Sequence, residues 1–512
     1  MSGGGSAAGG YVIERSLRFN AAANTYLRRT FGTPTNAAVW TLSLRMKRSA
    51  LGAGQVIFGE NSANGYFAWF NTSDQIEVRY NGGIFYTSTT KYRDTSAHMH
   101  FMWVMNGSAT KILVNGAQVD SDFAGVSNLN TAIPHALFCF TNSSNVLDGY
   151  LSEVHFVDGQ ALTPSSFGET NATTGQWVAK KYTGTYGTNG FYLDFKDGTS
   201  TTTLGYDKSG NNNHWTLTNF TRSAGVNDCW MLDVPAGNGS ASAVQPSGNY
   251  CVWNPLALGV GTLSKGNLSI QANAPADRCS RGTIAVSTGK WFWEATITQL
   301  NNLTLIGLLS ISSTASGGLQ STGNGVFYVN DGSKQVNSGS LTAYGATYTT
   351  NDVVRVELDL DNLTVTFFKN NVSQGSISIN ADTYLPAYIP NGNTSSVTDF
   401  NFGQRVSAHT PTAGFKALCT ANLTSTDVIE SGSFTGNANA IGPFIWCNGT
   451  PETLTINGNA VTWGTHADRL ANGFKLRTSS SSYNSSGTNT WTATILSPES
   501  KSAFKHQNAK GN

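Results

Sequence analysis

Val354-Arg355-Val356-Glu357-Leu358-Asp359-Leu360-Asp361-Asn362-Leu363-Thr364-Val365-Thr366-Phe367 alternates apolar and polar residues on both sides of Asp361-Asn362. A period of two is the strand period, because successive side chains of an extended chain point to opposite faces. Asp361-Asn362 can turn the chain. Val354, Val356, Leu358 and Leu360 then form one arm of a dry face, and Leu363, Val365 and Phe367 continue it on the other. Arg355, Glu357 and Asp359 fall on the opposite face, which is expected to be wet. The same pattern recurs outward from this stretch. Ile76, Val78 and Tyr80 alternate with Glu77 and Arg79 before a turn at Asn81-Gly82. Lys111 to Val119 reads KILVNGAQV, and Asn115-Gly116 is a strong hairpin signal because both residues tolerate positive φ. Antiparallel sheets follow from these patterns. Helix signals are few. Thr163-Pro164 is a cap followed by proline at the first helical position, flanked by Leu162 and Phe167 as a hydrophobic staple, and Ser497-Pro498-Glu499 could open another turn.

Composition narrows the class. Of 512 residues 55 are glycine, and only 12% are charged, about half the ~25% usual in soluble domains. Lys+Arg 31 against Asp+Glu 30 leaves a net charge of +1. Without basic blocks there is no cationic face to replace the counterions of nucleic acid. A hydrophobic content of 39% with 11% aromatics is too rich for a disordered chain. No apolar run approaches the ~20 residues of a membrane span. Met1 to Gly10, MSGGGSAAGG, lacks the basic region and apolar core of a secretory signal. The six cysteines (Cys139, Cys229, Cys251, Cys279, Cys419, Cys447) have no metal-type spacing and are expected to be reduced.

Composition shifts divide the chain into a flexible leader (1–10), a first block (11–220), a polar linker (221–250), a second block (251–423) and a small β-rich third block (424–512). The linker contains the small-residue run PAGNGSASAVQPSGN over 235–249.

Four segments of the first block lie in the order of a known fold. They are Ser16-Leu17-Arg18-Phe19-Asn20 through Tyr26-Leu27, Val39 to Lys47, His100 to Val104 with Ile112 to Gly116, and Leu147 to Val154 followed by Ala161-Leu162-Thr163. With these segments the block resembles the laminin-G-like, concanavalin-A-like jelly-roll family. The second block resembles a SPRY domain through Arg281-Gly282-Thr283, Gly289 to Glu294, Val354 to Asp361, Phe367 to Asn371, Leu385-Pro386-Ala387 and Asn401 to Gln404. It departs at Asn371, where that family usually has glycine. The tandem, with Phe415 to Leu418 after it, resembles virion components of tailed bacteriophages. Gly473 to Arg477 and Ala503 to His506 are similar to C-terminal segments of such proteins. The resemblance implies an all-β chain of tandem antiparallel β-sandwiches, a concanavalin-A-like jelly roll then a SPRY-like sandwich, with a small C-terminal β-rich module.

Glycosidases of the concanavalin-A-like class carry paired carboxylates on one sheet face. No E-x-D-x-x-E pattern occurs here, Glu153 is isolated, and no GxSxG elbow is present. His98 and His100 share one strand face without an evident third ligand, so they are read as sheet residues. Asp194, Asp197, Asp207, Asn211 and Asn213 supply hard oxygens across one loop region and are candidate calcium ligands, against the alternative that Asp207 to Asn211 is an Asx-stabilised turn. Aromatic rings at exposed positions can stack on sugar faces. The candidates are Tyr66, Trp69, Tyr86, Trp177, Tyr182 and Tyr186, whereas Trp40, Trp103, Trp291 and Trp293 are expected in the core.

The expected function is a non-enzymatic bacteriophage virion protein, a fibre, spike or decoration, that contacts a host surface glycan or protein. No cofactor is required, with calcium the one candidate. Its partners would be other virion proteins and further copies of itself, a trimer over a dimer. Nucleic-acid binding and membrane insertion are not expected. The alternatives are a cement protein without receptor, docked through Ser2 to Gly10, and a polysaccharide depolymerase.

Overall fold

The computed structural model describes residues 11–62, 64–124, 129–140, 144–171, 177–223, 225–235, 244–259, 261–272, 279–311, 313, 323–390, 395–423, 428–446, 451–470 and 473–495. The leader, the turn at Ser497 and the segment from Ala503 lie outside them. The chain divides into two compact units, the first reaching Asn422 and the second beginning at Leu423.

The first unit holds two sandwiches. In the first, one sheet runs in the order Ala117–Gln118, Ala109–Val114, Met99–Asn106, Val39–Arg48, Gly149–Asp158, Ser16–Phe19, Trp230–Met231, with Phe123–Ala124 and Phe191–Leu193 added beside this path. The facing sheet runs Thr216–Thr218, Tyr26–Thr30, Pro134–Leu137, Gln55–Glu60, Phe67–Phe70, Gln75–Tyr80, Gly83–Lys91. Between them Trp40, Leu42, Leu44, Met46, Phe101 and Trp103 pack with Phe58, Ala68, Phe70, Ile76 and Val78. Each buried Leu, Ile, Val, Phe or Met among them contributes roughly 1.5–3 kcal/mol by leaving water. Trp40 and Trp103 meet edge to face at 5.2 Å. The expected hairpin turns form as read, with Asn115 and Gly116 at φ 50° and 82° and Asn81 and Gly82 at 48° and 74°.

The second sandwich has one sheet in the order Thr262–Ser264, Ser269–Gln271, Val397–Asn401, Lys290–Gln299, Val353–Asp359, Thr364–Lys369, Val372–Ser378, with Lys416–Ala417 pairing in parallel to Lys290–Gln299. The other sheet runs Ser280–Arg281, Tyr384–Pro390, Thr304–Ser310, Gly325–Val329, Ser333–Val336, Thr342–Ala343. Val354, Val356, Leu358, Val365 and Phe367 are buried as read. Leu363 is not part of that face: it ends the turn at φ 53° and is 36% exposed. Asn370 and Asn371 close the next hairpin at φ 46° and 70°, so asparagine serves where the family usually has glycine.

Two expectations are corrected. The polar strand faces are not wet. Ser43, Arg45 and Lys47 are buried on the first sandwich, and Glu294, Arg355 and Glu357 on the second. Glu294 accepts from the amides of Ala408 and His409, Glu357 accepts from that of Thr412, and Arg355 donates to the Thr410 carbonyl. A chain segment covers the face because carboxylates there satisfy its backbone N–H groups. The described parts of 221–250 are not a free linker. Trp230–Met231 pairs with Ser16–Phe19, and Asp233, Asn249 and Tyr250 are buried where the two sandwiches meet. Residues 236–243 of the small-residue run lie outside the described residues.

The second unit has a four-stranded sheet (Val428–Thr435, Thr488–Ile495, Pro451–Ile456, Asn459–Ala460) and a three-stranded one (Phe444–Trp446, Gly473–Leu476, Ala467–Leu470). Its core joins Leu454, Ile456, Phe474, Leu476 and Trp491.

Candidate functional site

Asp158 ends a central strand of the first sandwich, and its buried carboxylate gathers four donors. Thr35 N, Asn36 N, Asn189 N and the Asn130 amide all reach it, at 2.6 to 3.2 Å. The strand thereby fixes two loops, 32–38 and 184–190, side by side. Gly187 completes the junction at φ 71°, where a Cβ would stand 2.2 Å from the Asp158 carbonyl oxygen. A third loop is locked by Asp207. One of its oxygens accepts from Tyr192 N and Ser209 N, the other from Ser209 Oγ and Asn213 N. From that loop the Asn211 side-chain amide donates to the Gly187 and Gly190 carbonyls, and that of Asn213 to the Thr188 and Gly190 carbonyls.

These loops enclose an open groove of about 500 Å³, lined by Thr35, Thr185, Tyr186, Thr188, Ser209 and Asn211 with Gly184 and Gly187. Its lining is hydroxyl and amide, with one aromatic wall and no charged side chain among the described residues. Tyr186 is held from behind. Its hydroxyl meets His155 Nδ1 at 2.9 Å, and His155 Nε2 lies 3.4 Å from Glu153. Tyr11 and Tyr192 both donate to Glu153. Glu153 sits at φ 51° in a bulge where the pairing with Val39–Arg48 shifts register. Burial, then the Glu153 charge, pushes the Tyr186 hydroxyl far above its ordinary range, so it stays protonated. Tyr182 meets Tyr186 edge to face at 5.2 Å, stacks on Phe167 at 4.9 Å and donates to the Thr185 carbonyl.

The other aromatic candidates lie elsewhere. Tyr66 is 5% exposed and stacked under Tyr80 at 4.0 Å, so it offers no open face. Trp69 donates to Glu77 and lies beneath the Arg79 guanidinium. Tyr86 donates to Asp120 and stacks on Phe123. Trp177 covers Gly116 and Gly168 and donates to His100 Nδ1 at 2.9 Å. The structure thus brings Tyr186 and Asn211 to one groove, leaves Tyr182 packed beside Tyr186 outside the lining, and leaves Tyr66, Trp69, Tyr86 and Trp177 in local packing. Thr35, Thr185, Thr188 and Ser209 had no sequence signal, since hydroxyl residues are everywhere in this chain.

Most of the oxygens read as calcium ligands are engaged by donors of their own loops. Both Asp207 oxygens are taken by the turn donors above, Asp194 accepts from Lys196 N, and Asp197 accepts from Thr199 N and its hydroxyl. The Asn213 side-chain oxygen accepts from Arg29. Among the described residues, no group of three or more His, Cys, Asp or Glu side chains is arranged to hold a metal ion, and no helix is long and apolar enough to cross a membrane. This donor set fits the Asx turn rather than a calcium cage.

Residues 22–166 match the family described as the concanavalin A-like lectin/glucanases superfamily, and residues 290–405 match the SPRY domain family. Among solved structures, the SPRY domain of human HERC1 is similar at 16% identity and a TM-score of 0.27, covering 31% of this chain and 99% of that one. A second human SPRY domain is similar at 12% identity and a TM-score of 0.23, covering 27% and 94%. No curated protein matches in sequence. The chain therefore carries a concanavalin-A-like domain and a SPRY domain in tandem, each a β-sandwich.

Proposed function

We propose that the chain is a non-enzymatic recognition protein that binds neutral carbohydrate in the groove of its concanavalin-A-like domain. The observation that carries this reading is the lining itself. Hydroxyl and amide groups match the donors and acceptors of a sugar, and the Tyr186 wall offers an apolar face. A glycosidase would need two carboxylates across the bound sugar. The groove lining has none among the described residues, and Glu153 behind it is committed to Tyr11 and Tyr192. The resemblance to tailed-bacteriophage components gives the setting: a fibre, spike or decoration, homo-oligomeric and preferably trimeric, that attaches the particle to its host.

The test is an array of neutral polysaccharides probed with the labelled full chain, with reducing ends assayed in parallel. Saturable binding without sugar release, lost at least tenfold in Tyr186→Ala, is the expected result. Release of reducing ends would replace the reading with a depolymerase. No binding to any polysaccharide would replace it with a cement protein.

A further inference from the structure

A second cavity, of about 340 Å³, lies at the seam between the two sandwiches, and its chemistry is the opposite of the groove's. Arg15, Arg222 and Arg405 line it together with Trp230, Asp228 and Gln245. The chain as a whole carries a net charge of +1, so three guanidinium groups around one small space is a local excess. It is neutralised only in part. Asp228 pairs with Arg222, and Arg222 Nε donates to the Gly198 carbonyl. Arg405 is 4% exposed and donates to the Val226 and Phe400 carbonyls, with no carboxylate in contact among the described residues. Arg18 lies behind it, 4% exposed, and shares the Val226 carbonyl. Arg15 lies 3.7 Å over the Trp230 ring and has no hydrogen-bond or ion-pair partner among the described residues. The Arg222 guanidinium is also over that ring, at 4.6 Å.

Partly buried cations without counter-charge are costly, and a guanidinium fork has a natural partner in a planar or tetrahedral oxyanion. Trp230 holds Arg15 in place, because the ring packs against Gly198 and donates to the Phe195 carbonyl at 2.8 Å. Arg405 keeps N–H groups beyond the two carbonyl contacts, since a guanidinium has five.

We propose that this seam cavity is a binding site for a small oxyanion, contacted by Arg15 from the first sandwich and Arg405 from the second. The carboxylate of an acidic saccharide and a free inorganic oxyanion supply the same chemistry. The site goes beyond the neutral groove and does not depend on it. A bound anion would bridge the two sandwiches.

The experiment is calorimetric titration of the full chain with sodium glucuronate, glucose and inorganic phosphate, at low salt and at 0.5 M sodium chloride. The anions are expected to bind saturably, more weakly at high salt, and glucose not at all. Arg15→Gln is expected to lower anion affinity at least tenfold. Because Arg15 makes no hydrogen bond or ion pair among the described residues and loses only its stacking on Trp230, this variant should change the melting temperature without ligand little, so a folding defect is separable. Tyr186→Ala should leave the anion titration unchanged, which separates this site from the groove. Tighter binding of glucuronate than phosphate assigns the site to an acidic saccharide, and the reverse assigns it to a free oxyanion. No anion binding, equal binding of glucose, or unchanged affinity in Arg15→Gln overturns the proposal.

Discussion

Trp177 has a single polar hydrogen, and donates it to His100 Nδ1. That nitrogen must therefore carry a lone pair, and the proton sits on Nε2, which faces Ser43 Oγ at 2.8 Å. A second proton would set N–H against N–H inside the protein. Burial, then the nearby Arg45 and His155, holds the His100 imidazole well below its ordinary range. His98 is also lowered by burial, although Asp233 opposes this. The sign follows. As pH falls below about 6.5 the unfolded chain takes up these protons and the folded chain does not. Stability is then lost at up to about 1.4 kcal/mol per pH unit for His100, and by less for His98, where Asp233 favours the charged ring. Asp148 works the other way, because burial raises it to about 6 and the folded state gains its proton first. The parent protein is expected to show a lower urea midpoint at pH 5 than at pH 7, and His100→Gln a flatter dependence. A slope identical in the two proteins would remove His100 from the account.

The turns between strands show where local sequence is sufficient and where it is not. Asn81-Gly82, Asn115-Gly116 and Asn370-Asn371 form hairpins as their residue types dictate, because only a few side chains accept positive φ cheaply. Leu363 is the exception. Alternation places it on the buried face, but the chain uses it to end the turn after Leu360 in the left-handed region, at a cost of roughly 1–2 kcal/mol for such a residue. Its side chain recovers part of this by partial burial. Leu363→Asn is expected to raise unfolding stability by about 0.5–1 kcal/mol in urea melts, and a lower midpoint would mean that the lost contact outweighs the strain. The same limit explains the strand faces. Periodicity tells which side chains share a face but not what covers it. The alternation at Val354 to Leu360 was readable, whereas the burial of Glu357 under Thr412 was not. The groove was half readable. Tyr186 stands out by type and Asn211 as a candidate calcium ligand, but Thr35 and Thr188 meet only because Asp158 holds their loops together, across 123 and 31 residues of sequence.

At the scale of the molecule, the seam between the sandwiches is built around an ion pair with no exposure. Lys47 Nζ lies 3.0 Å from Asp233, and both side chains are 0% exposed. The ammonium also donates to Asn249 Oδ1 and the Tyr250 carbonyl, at the entry to the second sandwich. Around it Asn267 donates to the Ser49 carbonyl, Tyr150 to that of Gly266 and Asn249 to that of Ser96. Burial alone would raise the Asp233 carboxyl, but Lys47 and His98 outweigh it and hold it below its usual range. A pair of this kind adds little over a well-packed apolar substitute, yet removing one partner strands the other's charge. Lys47→Met is therefore expected to cost about 3–5 kcal/mol, read from the urea midpoint. Adding Asp233→Asn to it should recover part of that loss, since no unpaired charge remains. The seam joins strands of both sandwiches, so the parent first unit should melt in one calorimetric transition. Lys47→Met should split that transition in two. A single transition of unchanged midpoint in Lys47→Met would show that the surrounding amide and carbonyl contacts, and not the ion pair, make the tandem one body.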